Sequence, residues 1–261
     1  MLRELNLYPQ WVRRNQPAPV AEEQAAVEIP VEAKTPQLDK PAPVAVVVPE
    51  APVEAMPKTV ESPVKSPLVE STPEADKLSW PQLKQQVRDC TACKLRAGCT
   101  QTVFGIGDEQ ADWLFVGEGP GADEDALGEP FVGEAGKLLD NMLMAIQLKR
   151  GRNVYIANVV KCRPPENHNP ASEEISACLP YLQRQIELVQ PKLIVALGKV
   201  ASNALLGKDA TLASLRGIQH DYHGIPLVVT YHPAYLLRSP SEKVKAWQDL
   251  CLALKMRGGD A

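Results

Sequence analysis

From Leu78 onward the apolar residues follow two alternating periods. Four short unbroken runs, Trp113–Val116, Val154–Ala157, Leu193–Leu197 and Leu227–Thr230, are too brief for helices and suit strands buried on both faces. Between them, apolar residues recur at helical spacing. Leu83 and Val87 mark a helix over Trp80–Asp89 with Ser79 as its cap, and Leu138, Leu139, Met142, Leu143 and Ile146 share one face of a helix over Ala135–Leu148. Ser172, followed by Glu173 and Glu174, opens a helix that runs to about Val189 before Pro191 stops it. Val200–Leu206 and Glu242–Met256 complete the helices.

Strands separated by helices of these lengths pair in parallel through right-handed crossovers. The pattern predicts an α/β fold, a three-layer sandwich around a central four-stranded parallel sheet, for one domain over residues 77–261. Ligands of open parallel sheets lie beyond the carboxyl ends of the strands. Those ends carry Gly117-Glu118-Gly119-Pro120-Gly121, Asn158-Val159-Val160-Lys161-Cys162, Gly198-Lys199 and Tyr231-His232-Pro233, so the chemically unusual segments fall along one edge.

Composition separates the part that precedes this domain. Half of the 24 prolines lie between Gln16 and Lys77, in a stretch without aromatic residues that carries 11 acidic and 4 basic side chains. Such a segment buries too little apolar surface to offset its ordering entropy, and residues 16–76 read as a disordered linker. Leu2, Leu5, Tyr8, Trp11 and Val12 recur at helical spacing, so residues 1–15 read either as a frayed terminus or as a short amphipathic anchor for a protein partner. The overall net charge of -4 belongs to the linker, and Lys77–Ala261 is near neutral at +1.

No run approaches the ~20 apolar residues that span a bilayer, and the first residues lack the pattern of a secretion signal. A cytoplasmic location is expected, where six cysteines favour metal binding over disulfides. Cys90 and Cys93 form a C-x-x-C pair at a helix end, Cys162 follows a strand, and Cys178 lies within a helix. Four thiolates from three segments can close around one centre. The spacing leaves zinc and an iron–sulfur cluster both open. Cys99 and Cys251 read as small buried apolar residues, with Cys99 close enough to Cys93 in sequence to serve as an alternative ligand.

The turn Gly117–Asp125 has neither a dinucleotide-binding nor a P-loop order of glycines, and its four carboxylates would repel phosphate. It suits close backbone approach to a flat, uncharged ligand with a carboxylate nearby, or else a solvated acidic loop. Phe131, between Pro130 and Gly133, can present an aromatic face to a base or serve as core. His232, directly after a strand, reads as a hydrogen-bond donor or acid, whereas His168, His220 and His223 in polar loops read as surface residues. Lys161 and Arg163 in one loop and Arg238 in another are candidates for a phosphodiester backbone, although a net +1 gives a weak electrostatic footprint.

The segments Gly117-Glu118-Gly119-Pro120-Gly121, Glu129-Pro130-Phe131-Val132-Gly133-Glu134-Ala135-Gly136, Asn158-Val159-Val160-Lys161-Cys162-Arg163-Pro164-Pro165 and His232-Pro233-Ala234-Tyr235-Leu236-Leu237-Arg238 together resemble the family 4 uracil-DNA glycosylases. The likeness runs in the correct order over essentially Lys77–Met256. It implies a 4Fe-4S cluster on Cys90, Cys93, Cys162 and Cys178. It also implies a uracil pocket lined by Glu118 and Gly119, with Phe131 stacked on the flipped base and Asn158 hydrogen-bonded to its Watson–Crick edge. Glu124 matches the carboxylate that orients or activates water, and His232 the histidine that stabilises the leaving uracil anion. The Pro233–Arg238 loop would enter the minor groove with Leu236 or Leu237 as a wedge.

The activity so implied is removal of uracil from single- and double-stranded DNA by a monomer, leaving an abasic site for base excision repair. Gly119 departs from the catalytic aspartate of the best-known uracil glycosylases, which shifts the expected weight onto Glu124. Two rival readings are a non-catalytic iron–sulfur module that binds DNA or accompanies a polymerase, and a small iron–sulfur electron carrier.

Overall fold

A computed structural model of the chain describes residues 77–258. The anchor expected over residues 1–15 and the linker expected over residues 16–76 lie outside the described residues. The strands are β1 (Ile106–Gly107), β2 (Trp113–Gly117), β3 (Val154–Asn158), β4 (Leu193–Leu197), β5 (Gln219–Tyr222) and β6 (Ile225–Thr230). The helices are α1 (Trp80–Arg88), α2 (Leu95–Gly98), α3 (Ala122–Leu127), α4 (Glu134–Ala145), α5 (Ser172–Val189), α6 (Lys199–Leu206), α7 (Leu212–Leu215), α8 (Pro233–Arg238) and α9 (Lys243–Met256).

The sheet has six strands in the order β1-β3-β2-β4-β6-β5. Its inner four are the predicted parallel strands, and the expectation of four is corrected by one antiparallel strand on each edge. Both additions lack the signal used to find the others. β1 is only two residues long, and β5 is the polar sequence Gln219-His220-Asp221-Tyr222, of which only Tyr222 is buried. His220 therefore sits on an edge strand, with its Nε2 2.6 Å from the Leu215 carbonyl, instead of in a free loop.

Alternation along the inner strands divides the core in two. Leu114, Val116, Ile194 and Ala196 pack on one face with Leu83, Leu182 and Ile186 from α1 and α5. Trp113, Phe115, Leu193, Val195 and Leu197 pack on the other with Leu139, Met142 and Leu250 from α4 and α9. Successive side chains of a strand point to opposite faces, so five-residue apolar runs supply both layers at once. Register aligns Gly117 with Asn158 and Leu197 with Thr230. The carboxyl ends of β2, β3, β4 and β6 consequently finish at one level, where the connections to the following segments begin.

Candidate active site

A cleft of about 350 Å³ opens at these strand ends. Its walls include Glu118, Gly119, Glu124, Phe131, Asn158 and His232, all six residues expected around a base. They arrive from β2 and the following α3, from the turn before α4, from the end of β3 and from the N-cap of α8.

Phe131 stands in the left-handed region with φ 56°, a conformation that costs a non-glycine residue roughly 1–2 kcal/mol. Two charged side chains hold it there. Arg150 donates from Nη1 to the Pro130 carbonyl at 2.8 Å and from Nη2 to the Phe131 carbonyl at 2.7 Å, while its Nε pairs with Asp140 at 3.0 Å. On the other side the Glu124 carboxylate accepts the amides of Val132 at 3.0 Å and Gly133 at 3.2 Å, and also that of Gly121 at 3.0 Å. Glycines make room for the ring and its turn. A Cβ at Gly117 would meet Phe131 Cζ at 2.6 Å and collide with Asn158 Oδ1, and one at Gly136 would collide with the Phe131 carbonyl.

Glu124 is thus a fastener of the turn before it is anything else. It closes the first turn of α3, which replaces the alternative of a solvated acidic loop, and three of roughly four carboxylate acceptor positions are occupied by backbone N–H groups. Asp125 beside it points away from the cleft and accepts the amides of Thr100 and Gln101.

Asn158 is 2% exposed, and its Oδ1 is a buried acceptor without a hydrogen-bond partner among the described residues. An unmade bond of this kind costs about 1–3 kcal/mol. Its position beside Phe131 at the cleft floor makes it a site for a ligand N–H.

The His232 ring lies 5.4 Å from that of Phe131, tilted by 31°. Its Nδ1 accepts the Ala234 amide at 3.2 Å as the cap of α8, which leaves the proton on Nε2. Burial lowers its pKa to about 4; the positive charge of Arg238 acts in the same sense and Glu124 opposes them. The ring is therefore a neutral donor at pH 7. Burial also raises the pKa of Glu118, which sits at the β2 end with its side chain toward the cleft.

The model for the uracil DNA glycosylase superfamily matches residues 104–251. A type-4 uracil-DNA glycosylase of Thermotoga maritima is 44% identical over 165 residues, 62% of this chain and 85% of the relative. Those of Archaeoglobus fulgidus (41%, 62% and 85%) and Pyrobaculum aerophilum (40%, 66% and 91%) are similar. The chain belongs to the type-4 family of uracil-DNA glycosylases.

Within this glycosylase fold, the residues expected to meet DNA separate into two groups. Leu237 is 43% exposed, Arg238 is exposed on the cleft rim, and Arg163 is half-buried with its Nε on Asn167 Oδ1 at 2.8 Å. Lys161 and Leu236 are corrections. Lys161 is 1% exposed, with Nζ donating to the Asn158 carbonyl at 2.8 Å and to Gln185 Oε1 at 2.5 Å, so it braces the β3 end from within and meets no phosphate. Leu236 is 1% exposed in the core between α8 and the sheet, and of the two leucines Leu237 is the one that reaches the surface. Tyr235, Asn167, His168 and Asn169 also line the cleft; His168 is a surface residue as expected and stands at the cleft mouth, and the others have no assignment from the sequence. Asn167 stands at φ 56°, a conformation asparagine tolerates better than most residues.

Cys90, Cys93, Cys162 and Cys178 line a second, small cavity together with Tyr181 and Val160. Donors already face the sulfurs: Tyr181 Oη and the Ala92 amide at Cys90 Sγ, 3.3 and 3.5 Å away, and the Lys161 amide at Cys178 Sγ, 3.3 Å away. Burial pushes the Cys178 thiol up to about 11 and raises those of Cys93 and Cys162, with neighbouring sulfurs adding to the effect. Four sulfurs with N–H and O–H donors fit a cationic centre that takes thiolates. Among the described residues, no group of three or more His, Cys, Asp or Glu side chains is set to hold a single metal ion.

Proposed function

We propose that the chain extrudes uracil from single- or double-stranded DNA into this cleft as a monomer and hydrolyses its N-glycosidic bond, leaving free uracil and an abasic site. The orphaned Asn158 Oδ1 carries the reading: uracil N3–H supplies the missing donor, and the amide N–H group of the same side chain can meet O4. Phe131 stacks on the ring, with Glu118 and Gly119 along its edge.

As the bond breaks, its electron pair goes to the uracil and positive charge develops on the sugar. His232 Nε2–H donates to the uracil oxygen where negative charge collects, a donor aligned before reaction and costing no proton transfer. Glu124 supplies fixed negative charge near the sugar and orients water through its remaining acceptor position. The proton released as water adds to C1′ passes by that carboxylate to solvent. Arg163 and Arg238 accompany the phosphates, and Leu237 fills the gap left in a duplex.

Cys90, Cys93, Cys162 and Cys178 hold a 4Fe-4S cluster in this reading, supported by their shared cavity and the donors around it. When bound, it would tie α1 and the segment after it to β3 and α5. Uracil released from a single-stranded oligonucleotide, quantified by mass spectrometry, tests the activity. Release by the wild type and a large loss in His232→Ala are expected. Tight binding of uracil-containing DNA without any free base would instead support the non-catalytic module.

A further inference from the structure

A column of four side chains stands beside the uracil cleft and ends on its rim. At its foot Asp249, wholly buried, accepts Arg216 Nε at 3.1 Å and Nη2 at 3.0 Å, and the Lys245 carbonyl accepts Nη2 at 2.6 Å. The guanidinium so fixed lies 5.1 Å from the centroid of the Tyr231 ring. Tyr235 stacks on Tyr231 with centroids 5.2 Å apart and 17° between planes. Tyr235 is 39% exposed and lines the cleft, as does Arg238 one turn further along α8.

The column is more than the fold requires. Leu236 already anchors α8 in the core, and Tyr235 could be any polar residue if its task were only to complete a six-residue helix. Instead an aromatic surface is held at the cleft mouth by a buried ion pair, a cation–π contact and a ring stack, so little ordering remains to be done when something lies on it. Extrusion of one nucleotide leaves the adjacent base without its stacking neighbour, and that base must pass the cleft mouth. Base–aromatic stacking tolerates any sequence because every base has a π-face.

We propose that Tyr235 is the outer layer of a stacking platform for the nucleobase next to the extruded uracil, with Arg238 beside the connecting phosphate. The proposal rests on the uracil reading of the cleft. In single-stranded DNA, where no opposite strand steadies the neighbours, the platform supplies that order, and a purine benefits more than a pyrimidine through its larger face.

The test uses the full chain and single-stranded oligonucleotides carrying one uncleavable 2′-fluorodeoxyuridine. Each flank in turn is adenine, thymine or an abasic linker. Replacing one flanking adenine by the linker is expected to weaken binding roughly 5- to 100-fold. Tyr235→Ala should abolish that dependence and Tyr235→Phe should keep it. 2-Aminopurine at the same flank should lose fluorescence on binding to the wild type and not to Tyr235→Ala. The linker series needs no variant, so a folding defect in Tyr235→Ala leaves the test intact. Equal affinity for all three flanks on both sides would overturn the platform while uracil release stands. Absence of uracil release by the wild type from the cleavable oligonucleotide would instead overturn the reading on which it rests.

Discussion

Replacing Arg150 by Met removes one half of the clamp on Phe131 without touching the cleft. Two charge-assisted bonds to the Pro130 and Phe131 carbonyls are lost, each worth about 1.5–3 kcal/mol if fully buried. The side chain is 22% exposed, so roughly 2–3 kcal/mol for the pair is a sounder figure. That exceeds the roughly 1–2 kcal/mol needed to keep an aromatic residue left-handed, so the turn should relax and the ring should leave its place in the cleft. Loss of a base-stacking contact predicts a fall of roughly 5- to 100-fold in kcat/KM for uracil release. The domain should melt about 5–10 °C lower. Single-turnover release from a single-stranded oligonucleotide and calorimetry measure the two effects. A double-mutant cycle with Phe131→Ala separates positioning from plain stability, because Arg150→Met should cost little further activity once the ring is gone. Additive losses in the double mutant, or a lowered Tm with activity within about twofold of wild type, would refute the clamp.

Asn158→Leu replaces an orphaned buried acceptor with an apolar group of similar size, and should raise stability by about 1 kcal/mol while uracil release falls at least a hundredfold. Parallel melting and activity measurements check both signs. His232 has a folded pKa of about 4, below its ordinary value, so its contribution to stability is present above about pH 6.5 and is lost as pH falls toward 4. The single-turnover rate should therefore show no His232 step near pH 6.5, and an inflection there that disappears in His232→Gln would contradict the neutral donor. Leu236→Ala should lose about 2–5 kcal/mol of stability by leaving a cavity. Leu237→Ala should stay within about 0.5 kcal/mol and lose activity mainly on duplex DNA, which chemical denaturation and a comparison of strand forms can resolve.

What the sequence made legible depended on how strongly each element is determined by its own residues. Leu193–Leu197 is apolar on both faces, so its strand and its burial follow from composition alone, and its bounds came out unchanged. The edge strand β5 is held by the ladder to β6, a tertiary contact that its polar residues do not announce. The site behaved in the same way. Asn158, Phe131 and His232 stood at strand ends and turns where the chain pattern alone drew notice, and they share one cleft. Lys161 was misplaced because a lysine in a loop is ordinarily solvated, and only the packed fold shows a carbonyl and a glutamine waiting for its ammonium. Leu236 and Leu237 are chemically identical in sequence, and one step around α8 decides which is core and which is free. Arg150 had no signal, since its role is to two backbone carbonyls some twenty positions earlier in the chain.

The most direct measurement is the structure of the protein bound to DNA carrying 2′-fluorodeoxyuridine. The uracil ring should lie on Phe131, with N3–H on Asn158 Oδ1 and its oxygen on His232 Nε2. A uracil that remains stacked in the strand, or one lodged outside this cleft with Asn158 Oδ1 still unpartnered, would contradict the account.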